Sequence, residues 1–364
     1  MSIINRTAFF IFKRVIFLLG YFMLLSGLIG CGALRAINPP TATPTITLTP
    51  TLTPTQTTTA TPTLIPTATE LPVLCGGPRV MYVLLVGSDS RSNGYIIGLA
   101  DSINIVRIDF VEPRVQLLTF QRDLYVDIPA IEKHHVTKGK LNQAFLYGNP
   151  GYGYYDGPGQ GLGLLALTLE NNFGAHVDHY VAVNMHSFEK IVDAVGGIDI
   201  NLPYVVNGRV KGSKDPDRYF PSGEQHLDGY HTMLLARMRP LGVFKRSEVQ
   251  SLILQSLANK LLSPKGFQKL PDLIKTFYAS VQTDLDIPTI GQLICLADKL
   301  NLQKIEFFNF PESLFKSGRV SDPVLGYTSI LKVDFEVLKK YVQVFDNGKW
   351  SQVKETLDNG VIIQ

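Results

Sequence analysis

The chain has little net charge and lacks two familiar catalytic signatures. Its formal net charge is +3 at pH 7, which is too small to indicate a nucleic-acid partner. The glycine-rich residues 151–163 lack the Lys-Ser/Thr ending of a phosphate-binding P-loop. No Ser-His-Asp order stands out in the sequence. These absences argue against a nucleic-acid-binding protein, a P-loop nucleoside triphosphatase and a serine hydrolase.

Large apolar side chains are scarce in residues 39–73, which consist mainly of threonine and proline. A segment of that composition cannot bury enough apolar surface to form a core. Frequent proline favours extended polyproline-like geometry and a semi-rigid spacer. We therefore predict an extracellular stalk, which also offers threonine hydroxyls for glycosylation.

A membrane-targeting signal precedes this stalk, in residues 1–38. Lys13 and Arg14 are followed by an apolar run that ends in the sequence LIGC at Cys31, an arrangement typical of a secretory signal or membrane anchor. LIGC resembles a lipobox, in which the cysteine becomes the lipidated first residue after cleavage. The alternative is an uncleaved helix, because residues 15–34 supply roughly the 20 residues that a bilayer requires. Both alternatives place the rest of the chain outside the cytoplasmic membrane.

The chain contains only three cysteines, Cys31, Cys75 and Cys295. If Cys31 carries lipid, an even pair remains for an oxidising compartment. A Cys75–Cys295 disulfide is then possible, and the alternative is two unrelated buried thiols.

From residue 74 to residue 345 the composition is that of one globular domain, and we expect residues 346–364 to be a weakly ordered tail. Alternating strand and helix patterns predict an α/β/α sandwich with a central mixed sheet and helices on both faces. Apolar runs at residues 80–86, 102–110 and 115–120 predict the first three strands. Their connections are too short for crossover helices, so we expect antiparallel pairing.

Antiparallel pairing brings five charged residues to one rim of the sheet: Asp89, Arg91, Asp101, Arg122 and Asp123. Clustered carboxylates need cations nearby. Mg²⁺ held by Asp89 and Asp101 is one solution, because this ion takes one or two carboxylates and completes its shell with water and phosphate oxygens. A surface ion-pair network is the alternative.

At this point the sequence resembles the LytR-CpsA-Psr (LCP) family, over residues 82–330. Seven motifs carry the resemblance in order: VLLVGSDSR (83–91), LADS (99–102), LLTFQRDLYVDIP (117–129), KLNQAF (140–145), VDHYVAVNMHSFEKIVDAVGGIDINLP (177–203), LDGYHTMLLARMR (227–239) and FKRSEVQ (244–250). The resemblance implies an extracytoplasmic phosphotransferase with an apolar tunnel for a polyprenyl chain. Such a protein moves a glycopolymer with one phosphate from a polyprenyl diphosphate carrier to a peptidoglycan hydroxyl.

The resemblance also implies residue roles. Asp89 and Asp101 would hold Mg²⁺, and catalysis would use Asp89, Asp101, Arg122 and Asp123, any of whose carboxylates could be the base. The residues expected to bind the diphosphate are Arg91, Arg122, Lys140, Arg237, Arg239, Arg246 and Gln250.

Four positions depart from the family pattern. Leu99 and Val249 stand where the family usually has arginine, Gln121 where it usually has proline, and Val243 where an acidic residue is common. Loss of arginine weakens phosphate binding, since each charge-assisted hydrogen bond contributes about 1.5–3 kcal/mol. The alternatives to an active transferase are therefore a non-catalytic polyprenyl-phosphate-binding protein and a cell-wall adaptor.

Overall fold

A six-stranded mixed sheet lies at the centre of the fold. The computed structural model describes residues 71–238 and 242–352. The predicted anchor with Cys31, most of the stalk, and Arg239 therefore lie outside the described residues. None of the helices in the described ranges combines the length and apolarity needed to cross a membrane.

Short strands occur along most of the described chain. They are β1 Val80–Ser88, β2 Ala100–Asp109, β3 Arg114–Phe120, β4 Tyr125–Asp127, β5 Lys138–Lys140, β6 His179–Asn184, β7 Ile198–Leu202, β8 Val206–Asn207, β9 Tyr219–Phe220, β10 Gly223–Leu227, β11 Val281–Thr283, β12 Ile305–Asn309, β13 Lys316–Asp322 and β14 Gly326–Lys332. The α-helices are α1 Leu141–Gly148, α2 Gln160–Phe173, α3 Met185–Val195, α4 Gly229–Ala236, α5 Gly242–Leu262, α6 Pro264–Phe277, α7 Ile287–Lys299 and α8 Phe335–Asp346.

The central sheet has the strand order β11-β6-β1-β2-β3-β12. Both β1–β2 and β2–β3 pair antiparallel, as their short connections predicted. In contrast, β6 pairs parallel to β1 and β12 parallel to β3. The sheet is therefore mixed, with its antiparallel part in the middle.

Hydrophobic clusters cover both faces of this sheet, which confirms the predicted layers. On one face, Leu84 and Phe120 belong to a buried cluster that includes Leu165 of α2 and Tyr341 of α8. On the other face, Val83 packs in a cluster with Leu296 of α7. The alternation along β1 follows from the period-two geometry of a strand.

A third cluster joins α5 to the small β7–β10 sheet and contains Ile200, Val249 and Ile253. The helix α5 ends at Leu262, directly before Ser263 and Pro264, and a proline at that place is a helix stop signal. The same residues begin α6, because the Ser263 hydroxyl accepts a hydrogen bond from the Gly266 amide at 3.2 Å. Proline is tolerated at the first helical position, so Ser263 and Pro264 both stop α5 and start α6.

The predicted Cys75–Cys295 disulfide is present. It links the segment before β1 to α7, at the cluster on the second face of the sheet.

The C-terminal boundary of the core differs from the sequence-based expectation of a weakly ordered segment from residue 346. Trp350 is buried, stacks on Phe308 with ring centroids 5.3 Å apart, and contacts Tyr341. A single tryptophan beyond the last amphipathic helix carries no periodicity, so its burial was invisible in the sequence. Residues 353–364 of the predicted tail lie outside the described residues.

Asp346 ends α8 in a partly buried position, where burial raises its pKa from 3.8 to about 6, although Arg107 and His176 oppose the rise. The folded state therefore binds this proton more tightly than the unfolded state. Protonated Asp346 contributes this stability fully below pH 3.8, and the contribution is lost as the pH rises through about 6. At neutral pH the ionised carboxylate also lies unfavourably at a helix C-terminus.

We expect Asp346→Asn to raise the free energy of unfolding at pH 7.5 by about 1–2 kcal/mol, a value discounted for partial exposure. This gain in the free energy of unfolding disappears near pH 4. Thermal or urea unfolding of the wild type and the variant at pH 7.5 and pH 4 measures the difference. The hydrogen bond from Arg107 Nε to Asp346 goes to the backbone carbonyl, at 3.0 Å, and survives the change.

Asp334→Asn is the matched control, because Asp334 caps the other end of α8 and asparagine is an equally good cap. Equal stability of the wild type and the Asp346→Asn variant at pH 7.5 would contradict the assignment.

Candidate functional site

The predicted rim exists, and the strand register explains it. Ser102 of β2 pairs with Gly87 of β1, and Ile103 pairs with Phe120 of β3. The end of β1, the start of β2 and the end of β3 are therefore neighbours. Asp89, Asp101, Arg122 and Asp123 extend from these three strand ends.

Asp101 is bound by two arginines from different elements. Arg122 Nη1 contacts one carboxylate oxygen of Asp101, and Arg246 Nη2 lies 3.6 Å from the other. Arg246 belongs to α5 and is 8% exposed, so α5 delivers a mostly buried guanidinium to a strand end far away in sequence.

Asp123 continues this network on the other side of Arg122. Arg122 Nε lies 3.5 Å from one oxygen of Asp123, and Lys140 Nζ lies 3.1 Å from the other. We call the five residues Lys140, Asp123, Arg122, Asp101 and Arg246 the charged network. Three cations alternate with two carboxylates in it, so its net positive charge suits an anionic ligand. Forked arginine donors match phosphate oxygens especially well.

Asp89 lies beside this network. Its carboxylate accepts a hydrogen bond from the Leu99 amide at 2.6 Å. Burial raises the pKa of Asp89, and repulsion from Asp101 adds to the rise, whereas the Leu99 amide, Arg122 and Arg237 lower it. Asp89 therefore interacts electrostatically with both Asp101 and Arg237.

The remaining predicted phosphate-binding residues fall into two groups. Arg237 and Gln250 line a cavity with Asp101, and Gln250 Nε2 donates to the Ala236 carbonyl at 3.1 Å, which ties α5 to the end of α4. Arg91, in contrast, is exposed in the loop after β1 and lines neither cavity of the described site. Arg239 is outside the described residues.

Two adjoining cavities share Asp101, Ser102, Arg246 and Gln250. The rim cavity has a volume of about 250 Å³, and Arg122 and Ser247 also line it. The apolar cavity has a volume of about 220 Å³ and lies between the sheet and α3, α4 and α5. Its apolar lining includes Leu85, Val183, Phe188, Met233, Ile253 and Leu257. The described residues thus place an apolar cavity directly against the charged network, and the prenyl tunnel stays a prediction.

Sequence reasoning missed the polar side chains beneath these cavities. Asn104 Nδ2 donates to Ser102 Oγ at 3.0 Å, and Thr119 Oγ1 donates to Asn104 Oδ1 at 2.8 Å. Ser102 and Asn104 are two positions apart in β2 and thus face the same side of the sheet. Polar residues on the covered face of a central strand were the available signal.

Three departures from the family pattern have clear structural settings. Val249 is fully buried and packs in the cluster with Ile253, so no cation is delivered from that position. Leu99 contributes its backbone amide to Asp89 instead of a side-chain charge. Val243 lines the rim cavity.

The rim offers the carboxylates of Asp89 and Asp101 as candidate ligands for a divalent cation. Within the described ranges, no group of three or more metal-ligating side chains occurs, so an all-protein cage is not offered. Asp89 and Asp101 are close enough for their charges to raise the pKa of Asp89. Mg²⁺ commonly takes one or two protein carboxylates and completes its shell with water and phosphate oxygens.

The fold and the site together define an α/β protein whose sheet rim carries a network of three cations and two carboxylates beside an apolar cavity. The model of the LytR_cpsA_psr family matches residues 78–341. The chain belongs to this family.

Curated relatives are similar over part of their length. The Enterococcus faecalis polyisoprenyl-teichoic acid–peptidoglycan teichoic acid transferase TagU is 30% identical over 216 residues, which cover 58% of this chain and 63% of that protein. The Staphylococcus aureus regulatory protein MsrR is 28% identical over 207 residues, or 56% of each chain. The match thus spans about three-fifths of these relatives.

Solved structures show the same fold. The crystal structure of B. subtilis TagV gives a TM-score of 0.56 at 23% identity and covers 73% of this chain and 97% of that chain. The structure of TagT bound to LIIa-WTA gives 0.55 at 19% identity, with coverage of 74% and 90%.

Proposed function

We propose that this protein is an extracytoplasmic phosphotransferase that moves a glycopolymer, with one phosphate, from a polyprenyl diphosphate carrier to a peptidoglycan hydroxyl. The observation that carries the proposal is the contact between the charged network and the apolar cavity, which share Asp101 and Arg246. A lipid-linked diphosphate needs both environments side by side, because its head is anionic and its chain is apolar. The names of the teichoic acid transferase relatives support the same substrate class.

The transfer breaks the phosphoanhydride bond of the diphosphate and forms a phosphate ester bond to the acceptor. The acceptor hydroxyl oxygen attacks the phosphorus that carries the glycopolymer. The bond from that phosphorus to the bridging oxygen breaks, and polyprenyl monophosphate leaves with the bridging oxygen and its electron pair. The hydroxyl proton passes to a carboxylate of the rim, where Asp89, Asp101 and Asp123 are available. The glycopolymer is then joined to peptidoglycan through a phosphodiester.

The chain's own residues act mainly by positioning and charge stabilisation, which dominate phosphoryl transfer. Arg122 and Arg246 would bind the phosphate oxygens, with Lys140, Arg237 and Gln250 at the edges of the same site. Asp89 and Asp101 would hold Mg²⁺, which supplies neutralisation of the phosphate charge when bound. The apolar cavity would accept the start of the prenyl chain.

The proposed location follows from the N-terminal segments. A lipid on Cys31, or a single membrane-spanning helix, would hold the domain at the outer face of the cytoplasmic membrane. The Thr/Pro stalk would set its distance from a donor that is anchored in the same membrane.

The direct test uses the full-length chain, a prenyl diphosphate-linked glycan with a radiolabel in the sugar, and isolated peptidoglycan. We expect label in the insoluble wall together with an equal amount of released prenyl monophosphate. Release of monophosphate without wall label would indicate hydrolysis. The absence of both products would contradict the proposal.

Removal of divalent cations is a separate prediction. We expect EDTA to abolish transfer and added Mg²⁺ to restore it, because the two rim carboxylates otherwise leave phosphate charge unneutralised. Full transfer in excess EDTA would exclude the assigned metal pair, while the rest of the site would still stand.

One observation favours a second candidate, a non-catalytic polyprenyl-phosphate-binding protein. Val249 is buried in an apolar cluster where the family usually has arginine, so one cation of the family pattern is missing here. Prenyl diphosphate that binds tightly to the full-length chain without turnover would support this candidate.

A further inference from the structure

A partly buried polar pair connects the two elements that carry the arginines of the site. Gln121 directly precedes Arg122 and is only 1% exposed. Ser247 directly follows Arg246 in α5, and its hydroxyl donates to the Gln121 side-chain oxygen at 3.1 Å. Each partner of this hydrogen bond is therefore the immediate neighbour of an arginine that binds Asp101.

The two connections between these elements run side by side. The charged one passes from Arg122 through Asp101 to Arg246. The neutral one passes from Gln121 to Ser247. A diphosphate that draws the arginines away from Asp101 would break the charged connection, whereas the neutral connection contains no charged group for the phosphate to draw away.

We propose that Gln121 and Ser247 are a positioning pair, which holds the start of α5 against the end of β3 so that Arg122 and Arg246 converge on the diphosphate. The pair acts by placing the arginines. Ser247 also lines the rim cavity, whereas Gln121 lines neither cavity, so the Gln121 variant tests positioning alone. This inference rests on the proposed function, since it assigns the pair to the same substrate. Gln121 stands where the resembling family usually has proline, which has no side-chain acceptor, so the pair is a feature of this sequence.

Ser247 offers a way to separate positioning from folding. Its hydroxyl also lies 3.2 Å from the Val243 carbonyl, one turn earlier in α5. If the Gln121 oxygen is removed, the serine still has a local acceptor, so no buried donor is left unpaired. We therefore expect loss of the pair to change the placement of α5 more than the stability of the fold.

The test compares Gln121→Met, Ser247→Ala, the double variant and Ser247→Thr in the full-length chain. Methionine keeps most of the glutamine volume and removes the acceptor, and threonine keeps the hydroxyl. The probe is farnesyl diphosphate, with its affinity measured by calorimetry well below the unfolding temperature. We expect Gln121→Met and Ser247→Ala each to weaken binding about 3- to 10-fold, the effect of one hydrogen bond. The double variant should bind no more weakly than either single variant. Ser247→Thr should bind as tightly as the wild type.

Ser251→Ala is the matched control. Ser251 is a buried serine one turn further along α5, and its hydroxyl donates to the Ser247 carbonyl at 3.1 Å. It touches neither Gln121 nor the cavities described for the site. We expect wild-type affinity for this variant. Equal losses in Ser251→Ala and Ser247→Ala, or additive losses in the double variant, would overturn the proposal.

A crystal structure of the Gln121→Met variant separates this inference from the proposed function. We expect Arg246 Nη2 to move further from Asp101 than the 3.6 Å of the wild type. An unchanged arginine pair would overturn the positioning role. Failure of the wild-type chain to bind any prenyl diphosphate would instead count against the proposed substrate, while a displaced Arg246 would still establish what holds α5 in place.

Discussion

Replacing Arg122 with alanine is expected to lower the rate of glycopolymer transfer at least about 100-fold, the usual cost of removing one preorganised donor from a transition state. Arg122 is the only member of the charged network that contacts both Asp101 and Asp123 among the described residues. Its loss removes a forked donor for the phosphate and leaves two partly buried carboxylates facing the incoming anion. The measurement is the rate at which prenyl monophosphate is released at a saturating concentration of the donor.

Arg122→Lys is expected to lie between the wild type and alanine, because lysine keeps the charge but loses the planar fork. Arg319→Ala is the matched control, since Arg319 packs over Tyr327 in the exposed β13–β14 hairpin. We expect wild-type transfer for Arg319→Ala. Equal transfer by Arg122→Ala and the wild type would remove the charged network from the mechanism.

Removing the Cys75–Cys295 disulfide is expected to cause the largest loss of stability. The bridge closes a loop with a sequence separation of 220 residues. The chain-entropy treatment of such a loop gives about 5 kcal/mol as an upper estimate. We expect the double variant Cys75→Ala and Cys295→Ala to lose a large part of this free energy of unfolding, measured by urea denaturation.

The folded arrangement around the bridge should persist in that variant, because other contacts hold the same segment. The Leu74 amide donates to the Phe110 carbonyl at 2.9 Å, and Gln292 Nε2 donates to the Gly76 carbonyl at 2.9 Å. The loss thus acts mainly through the unfolded chain. A reducing agent should destabilise the wild type to the level of the variant and leave the variant unchanged. A variant as stable as the oxidised wild type would refute this account.

The rim could be predicted because it depends on local features. The turn between β2 and β3 is short, and the charged residues lie directly beside the strand ends, so antiparallel pairing alone brings Asp89, Asp101, Arg122 and Asp123 together. The end of α5 at Leu262 was also local, since a proline follows within two residues.

Other parts of the site depend on contacts between distant segments. The position of Arg246 over Asp101 requires α5 to pack across the sheet. The burial of Val249 and the Gln121–Ser247 hydrogen bond follow from the same packing. None of these leaves a periodic pattern, because a single side chain that meets a partner more than one hundred positions away has no repeat to detect.

By itself, the sequence determined the antiparallel centre of the sheet and the charges at its rim, because short connections and residue types fix both of them. It offered the Cys75–Cys295 disulfide as one of two alternatives. Only the tertiary structure decided which charges pair, that Arg91 remains exposed while Arg246 is buried, and that the apolar cavity opens against Asp101. Those outcomes depend on how α4 and α5 lie on the sheet, and that placement is the sum of many weak side-chain contacts rather than of any local signal.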